Sequence, residues 1–420
     1  MKNISSLLKP ALLLSLLLLA SGSASAEIIY VVNSQSRTLS RIDTSTDTVN
    51  NSFALLGNVP NKIVVDNDYI WAVNSGDNAI QKIDRDSGNT LSNIFIGPGV
   101  NPWDAVLHEG MLYVSGLFTG KVYRVDLTSG SVTGSVSVGT APEALLVMGN
   151  KLYVCNSGNY AQNYAGSSVS VIDLISFTKL RDIPVSPNPQ YLALQDGALH
   201  VSCTGNWADI AGSICVIDSS SDSLIQTIPL GGTPGRIWIA DSELALVADS
   251  NGINLFSYDP VNYSILHGIS NPLPNGGSEV VGNSSLIAVL APNWSANGTV
   301  KLLHPDLSFW KDYTVALMST DLKLAPEPTS NQDPQLSLPV LQVYPNPLSG
   351  GSVLTFKADK QLKGELQIFN LRGQMVERYD IEGKDISLRN LKLGTGVYFY
   401  RLQVKPASAA SYQGKFMVVN

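Results

Sequence analysis

The 420-residue chain carries 27 Lys and Arg against 34 Asp and Glu, a net charge of −7, and only 15% of its residues are charged. Soluble domains are typically about 25% charged, and with no basic excess the chain has no electrostatic footprint for nucleic acid or an anionic bilayer. Gly, Ser, Asn, Thr and Val abound, which favours strands and turns over helices.

In chain order, the first segment is a targeting signal. Lys2 and Lys9 precede an apolar run from Ala11 to Ala20, and the small residues Ser21 to Ala26 follow. This is the pattern of a secretory signal over residues 1–26, cleaved after Ala26. An apolar run of about ten residues falls short of the roughly 20 that span a bilayer, and no later segment is uniformly apolar over that length, so no membrane-spanning segment is expected. The mature part, about 390 residues from Glu27 onward, has room for one large and one small domain.

From Ile28 the chain repeats. "SRID" at Asp43 returns as "QKID" at Asp84, "YRVD" at Asp126, "SVID" at Asp173, "CVID" at Asp218, "FSYD" at Asp259 and "LLHPD" at Asp306, seven copies spaced by 41 to 47 residues. Each follows a partner run such as "IIYVVNS", "MLYVSG" or "KLYVCNS", and most are preceded by a proline-led run such as "VPNKIVV" or "APEALLV". Each copy reads as four short strands: A, led by proline; B, the "LYV" strand; C, ending in Asp; and a variable D. A period of 40 to 45 residues with four strands per unit is that of propeller blades. Copy one lacks a strand A, and residues Val315 to Leu324 belong to no copy of their own; they are expected to complete the first blade and close the ring. The repeated Asp is read as the cap of the C-to-D turn rather than a ligand, because a short carboxylate at a strand end bonds nearby backbone N–H groups.

The "LYVxN" run, the "VID" about a dozen residues later and the "G-x-x-P" lead-in to the next unit resemble the YVTN or surface-layer type of β-propeller repeat, over Ile28 to about Leu324. The resemblance implies a scaffold at the cell surface or in the periplasm with a binding role.

On such a scaffold the B-to-C and D-to-A loops share one face around the central channel, the default binding face. Copies four, five and seven carry long B-to-C loops that present Tyr160, Tyr164, Trp207 and Trp294 beside Asn and Asp. Flat aromatic faces beside polar handles suit a glycan, a peptide or another surface protein. Just after the strand-A prolines come Lys62, Trp103, Asp104, Glu143, Gln190, Tyr191 and Arg236, with Glu279 at the proline-free start of copy seven. This mixed-charge mouth either binds a small polar ligand or neutralises itself. Cys203 ends one apolar run and Cys215 begins the next; an oxidising compartment permits a bridge between them, which leaves Cys155 a buried thiol.

Residues 325–340 are rich in proline and polar side chains, as in an extended spacer. Residues 341–420 then alternate short strands with Gly, Asn and Lys turns, giving a small Ig-like β-sandwich after the propeller in an all-β protein. Tyr344-Pro345-Asn346-Pro347, the turn from Phe369 to Gly373, the run from Gly394 through Gly396 to Tyr400, and Gly414-Lys415-Phe416 resemble the C-terminal sorting domain of the bacterial type IX secretion system. That family implies export to the periplasm, recognition of the tail by an outer-membrane translocon, and a secreted or surface-attached product. Locally, the two prolines stiffen a strand start, and Gly373 and Gly396 are expected in turns that need positive φ.

Catalytic motifs are thin. His108, His200, His267 and His304 lie in different copies, and there is no HExxH, GxSxG, CxxC or complete phosphate loop. No metal, cofactor or catalytic residue is therefore assigned. The leading reading is an exported binding module. The alternatives are a lyase- or hydrolase-type propeller enzyme using Asp104, Glu143 and Glu279, or a purely structural envelope protein.

Overall fold

The computed structural model describes residues 27–326, 342–349, 352–370, 374–389, 391–404 and 411–419. The expected signal, residues 327–340 of the expected linker, and Gly373 lie outside these. Contacts divide the chain between Glu327 and Pro328, and each unit is described by itself.

In the first unit, seven four-stranded antiparallel sheets form the blades. Their innermost strands are Ser319–Leu324, Pro60–Val65, Pro102–His108, Pro142–Met148, Pro189–Gln195, Pro234–Ile239 and Glu279–Gly282, in blades 1 to 7. Each touches the next around the full circle. Blade 1 is built from both ends of the propeller sequence. Ser319–Leu324 runs antiparallel to Ile28–Asn33, pairing Val31 with Leu322. Backbone bonds from Ser34 N to Met318 O (2.8 Å) and from Ala325 N to Ile28 O (2.7 Å) bracket the joint. The expected closure is therefore observed, although Val315 to Leu317 belong to the outermost strand of blade 7, Phe309–Leu317.

The core is not central but divided. Seven apolar clusters lie between successive blades, among them one joining blade 7 to blade 1 through Leu290, Val300, Val31 and Leu322. Strand B explains why. Leu112 and Val114 pack towards blade 2, while Tyr113 between them packs towards blade 4, so a period-2 strand buries both of its faces. One blade alone would leave both faces in water.

The repeat letters have matching local jobs. All seven cap aspartates accept backbone N–H groups of the following turn, for example Asp126 Oδ1 from Thr128 N at 2.7 Å and Asp259 Oδ1 from Asn262 N at 2.7 Å. At the other end of the blade, the Asn of "LYVxN" is buried. Asn156 Nδ2 donates to Ser168 and Ser170 Oγ at 3.1 and 2.9 Å, and its Oδ1 accepts from Gly139 N at 3.0 Å. A Cβ on Gly139 would lie 2.6 Å from Asn156 Cγ, so the Gly of "G-x-x-P" lets backbone approach that amide.

The second unit is a six-stranded sheet. Its long strand Leu354–Phe369 pairs with Gln342–Tyr344, Met375–Leu388 and Gly396–Val404. The register shifts between Lys357 and Leu362, and one core gathers residues from both sides of the break, including Phe356, Leu366, Tyr400 and Phe416. The positive φ expected at Gly396 is absent. That residue opens its strand opposite Val418, whereas Gly383, inside Met375–Leu388 beside the register break opposite Leu362, has positive φ.

Leu322 is fully buried at the closing joint. Leu322→Ala is expected to cost about 2–5 kcal/mol, the usual range for a core Leu, read by urea denaturation. A loss below about 1 kcal/mol would show that the joint carries little of the fold's stability.

Candidate functional site

The innermost strands start at one mouth of the channel. In most blades a β-bulge follows the first residue, as between Pro60 and Lys62 or Ser319 and Asp321, and it sets which side chains reach the axis. Two residues in from the leading position stand Asp321, Lys62, Asp104, Ala144, Tyr191 and Arg236 in blades 1 to 6. In blade 7 the same level is held by Glu279, the first residue of its shorter strand, which pairs with Leu290 as Lys62 pairs with Val73.

Five of these form one network. Glu279, 2% exposed, accepts from Tyr191 Oη at 2.7 Å, pairs with Lys62 Nζ at 3.5 Å and is bonded by Arg236 Nε. Arg236 Nη2 also reaches the fully buried Asp321 at 2.7 Å, which holds Lys323 Nζ at 3.1 Å and accepts from Ile63 N at 2.9 Å. Lys62 Nζ lies 4.3 Å above the Tyr191 ring. Burial works against the Lys62 ammonium, but Glu279, Tyr191 and Asp321 outweigh it and hold the pKa above its ordinary value. Asp321 and Lys323 were not read from the sequence. Ser319 stands where blades 2 to 6 have proline, so nothing in that strand marks the offset.

Trp103, Glu143 and Gln190 fall one residue earlier and form a separate knot. Ser157 Oγ donates to Glu143, and the Gln190 and Trp103 side chains also hydrogen-bond it. Burial pushes the Glu143 carboxyl up to about 7, against the hydrogen bond from Ser157 and the charge of Lys62. Asp104 is raised too, by burial, and its oxygens accept from Ala105 N at 2.9 Å and Leu145 N at 3.3 Å.

The loop aromatics divide likewise. Tyr160, 76% exposed, meets the buried Tyr164 edge-on at 5.6 Å, and Tyr164 meets Trp207, 45% exposed, at 6.0 Å. Loops of blades 4 and 5 thus share one aromatic ridge. Both Tyr164 and Trp207 have positive φ, 61° and 56°, an uncommon backbone for bulky residues that functional loops often hold. Asn206 Oδ1 accepts from Ala208 N and Ile210 N at 3.0 and 2.8 Å and fixes the turn under Trp207. Trp294, 55% exposed on blade 7, stands apart with blade 6 between.

The cysteine bridge is corrected. Cys155, Cys203 and Cys215 are all free and buried, clustered between blades 4 and 5. Register pairs Cys203 with Ser213 and Cys215 with Val201. The two thiols therefore stand on a diagonal, where Cα atoms are about 7–8 Å apart, whereas a disulfide takes about 4.4–6.8 Å. Among the described residues no group of three or more His, Cys, Asp or Glu is arranged to hold a metal.

In the tail, Asn346 Oδ1 accepts from Met417 N at 2.9 Å, and Leu348 pairs in parallel with Val418, so the Tyr344–Pro347 motif is tied to the last strand. Tyr398 stacks on Phe416 at 5.8 Å. Lys415 lies opposite Phe399 in that strand. Residues 342–418 match the family described as the secretion system C-terminal sorting domain. The tail is a sorting domain. It marks the chain for type IX export to the cell surface or beyond, and among the described residues no helix is long and apolar enough to cross a membrane. No curated protein sequence matches the chain. Similar solved structures include Kuenenia stuttgartiensis hydrazine synthase, at 16% identity over 59% of this chain and 77% of that one with a TM-score of 0.49. The computationally designed Ika8 protein matches at 11% identity over 85% and 96%, TM-score 0.47. The dihydro-heme d1 dehydrogenase NirN matches at 15% over 70% and 74%, TM-score 0.47.

The Glu143 environment has a pH consequence. An unfolded glutamate titrates near 4.5, the folded one near 7, so between those values the folded chain holds more proton. Unfolding free energy therefore falls as pH rises through that window, by about 3 kcal/mol in all. Urea titrations should show Glu143→Gln gaining roughly 2–3 kcal/mol on the parent between pH 5 and pH 8. An unchanged difference at the two pH values would mean that this carboxyl titrates normally.

Proposed function

We propose that the chain is an exported binding module whose propeller takes a neutral glycan on the loop face of blades 4 and 5, and whose tail docks on the type IX translocon. The observation that carries the reading is the Tyr160–Tyr164–Trp207 ridge, two of whose rings open to solvent. Such rings stack on the apolar faces of sugars and lose little entropy in doing so. The charge pattern supports the ligand class: residues 157–167 contain no charged side chain and residues 204–212 only Asp209, so neither loop offers a cation to a phosphate, a nucleic acid or an acidic peptide. Binding is favoured over a lyase- or hydrolase-type enzyme because the three acids of that alternative are dispersed. Glu279 is held in ion pairs, Asp104 by backbone donors and Glu143 in its own knot.

Screened against neutral oligosaccharides and peptides, the mature chain is expected to select oligosaccharides, with Trp207→Ala weakening binding tenfold or more. Selection of peptides alone, or full binding by Trp207→Ala with intact fold, would sink the proposed ligand face. For delivery, a chain lacking residues 341–420 should accumulate in the periplasm when fractions are blotted, and normal surface delivery without the tail would contradict its role.

A further inference from the structure

The central channel has a chemistry of its own, independent of the loop aromatics. It encloses a cavity of about 260 Å³, just under the roughly 300–1,000 Å³ of pockets for drug-sized ligands. Lys62, Arg236 and Lys323 line it, whereas Glu279 and Asp321, the acids that pair with them, lie outside its lining. The cations thus face the cavity with the anions behind.

Their donors are not used up. An ammonium has three N–H groups and a guanidinium five. Lys62 Nζ has one carboxylate partner, at 3.5 Å. Lys323 Nζ has one, at 3.1 Å, and Arg236 spends Nε and Nη2 on two acids. Burial and the neighbouring Arg236 charge push the Lys323 ammonium down, the cation crowding that a bound anion relieves. Of the acids only Asp104 lines the cavity, and its oxygens are engaged by backbone N–H groups. Further along the same strands the lining turns apolar, with Val65, Val106, Leu145, Leu192 and Leu324. A charged mouth over an apolar barrel suits one kind of molecule, a charged head on a hydrocarbon body.

We propose that the channel binds a small carboxylate with an apolar body, its head held by Lys62, Arg236 and Lys323 and its body among the apolar residues below. Charge and body are both required, so acetate, with charge alone, and hexanamide, with body alone, should each bind at least tenfold more weakly than hexanoate. Hexylammonium has the wrong sign and should not bind measurably.

Titration calorimetry of the mature chain with these four compounds is the test. Lys323→Met, which removes the most exposed of the acids' partners, should weaken hexanoate binding tenfold or more. Asp104→Asn, which removes the lining carboxylate while keeping an acceptor for the backbone, should strengthen it several-fold, and it serves if Lys323→Met does not fold. Absence of hexanoate binding, equal affinity for hexylammonium, or hexanoate binding unmoved by a folded variant of either residue would overturn the proposal. Loss of glycan binding in the loop variant would leave this result untouched, so the two sites fail separately.

Discussion

The pairing of Ser319–Leu324 with Ile28–Asn33 is the contact on which the rest of the propeller depends. Each blade buries both faces of its middle strands, so each needs a neighbour on either side. In an open row the two end blades would expose apolar faces and unpaired strand edges. A single strand drawn from the far end of the domain converts that row into a ring. Around the joint, Tyr313 Oη reaches Asp47 at 3.0 Å and Asn51 Nδ2 reaches Thr314 O at 3.2 Å, so the outer strands of blades 7 and 1 are also stitched across the seam.

The closing strand does more than seal. It brings Asp321 and Lys323 to the axis, where Asp321 anchors Arg236 of blade 6 and accepts from Ile63 N of blade 2. Closure and channel chemistry are therefore one event, because the charged network is complete only when blade 1 is. The network is also why three cations can lie so close together. Breaking a buried pair by removing one partner leaves an uncompensated charge, at a cost of about 3–5 kcal/mol, so the acids behind them stabilise as well as orient.

The loop face follows a different logic. Blades 4 and 5 have the same frame as their neighbours, yet their B-to-C loops are long enough to meet. Ser167 Oγ donates to Ser157 O at 2.7 Å and accepts from Asn188 N at 3.0 Å, so the loop of blade 4 is fastened to the lead-in of blade 5. Below it, Ser157 is bonded to Glu143. A repeated scaffold thus carries an unrepeated site by lengthening two adjacent connections while the strands beneath them keep their register.

The repeat was legible because its causes are local. The cap aspartates, the prolines at strand starts, and the Gly and Asn of each lead-in act over a few residues, so blade number, strand order and the sorting tail all follow from reading along the chain. The candidate residues were legible only as a set. That Glu279 ties together Lys62, Tyr191 and Arg236, that Glu143 belongs to another knot with Trp103 and Gln190, and that Trp294 stands apart from Trp207 depend on which blades adjoin. The bridge expected between Cys203 and Cys215 was decided by a register that places them on a diagonal. Spacing along one polymer thus determined the elements of this protein. The tertiary structure alone decided which charges face the cavity and which stand behind them, because Coulomb energy and burial depend on distances across the ring that no single blade contains.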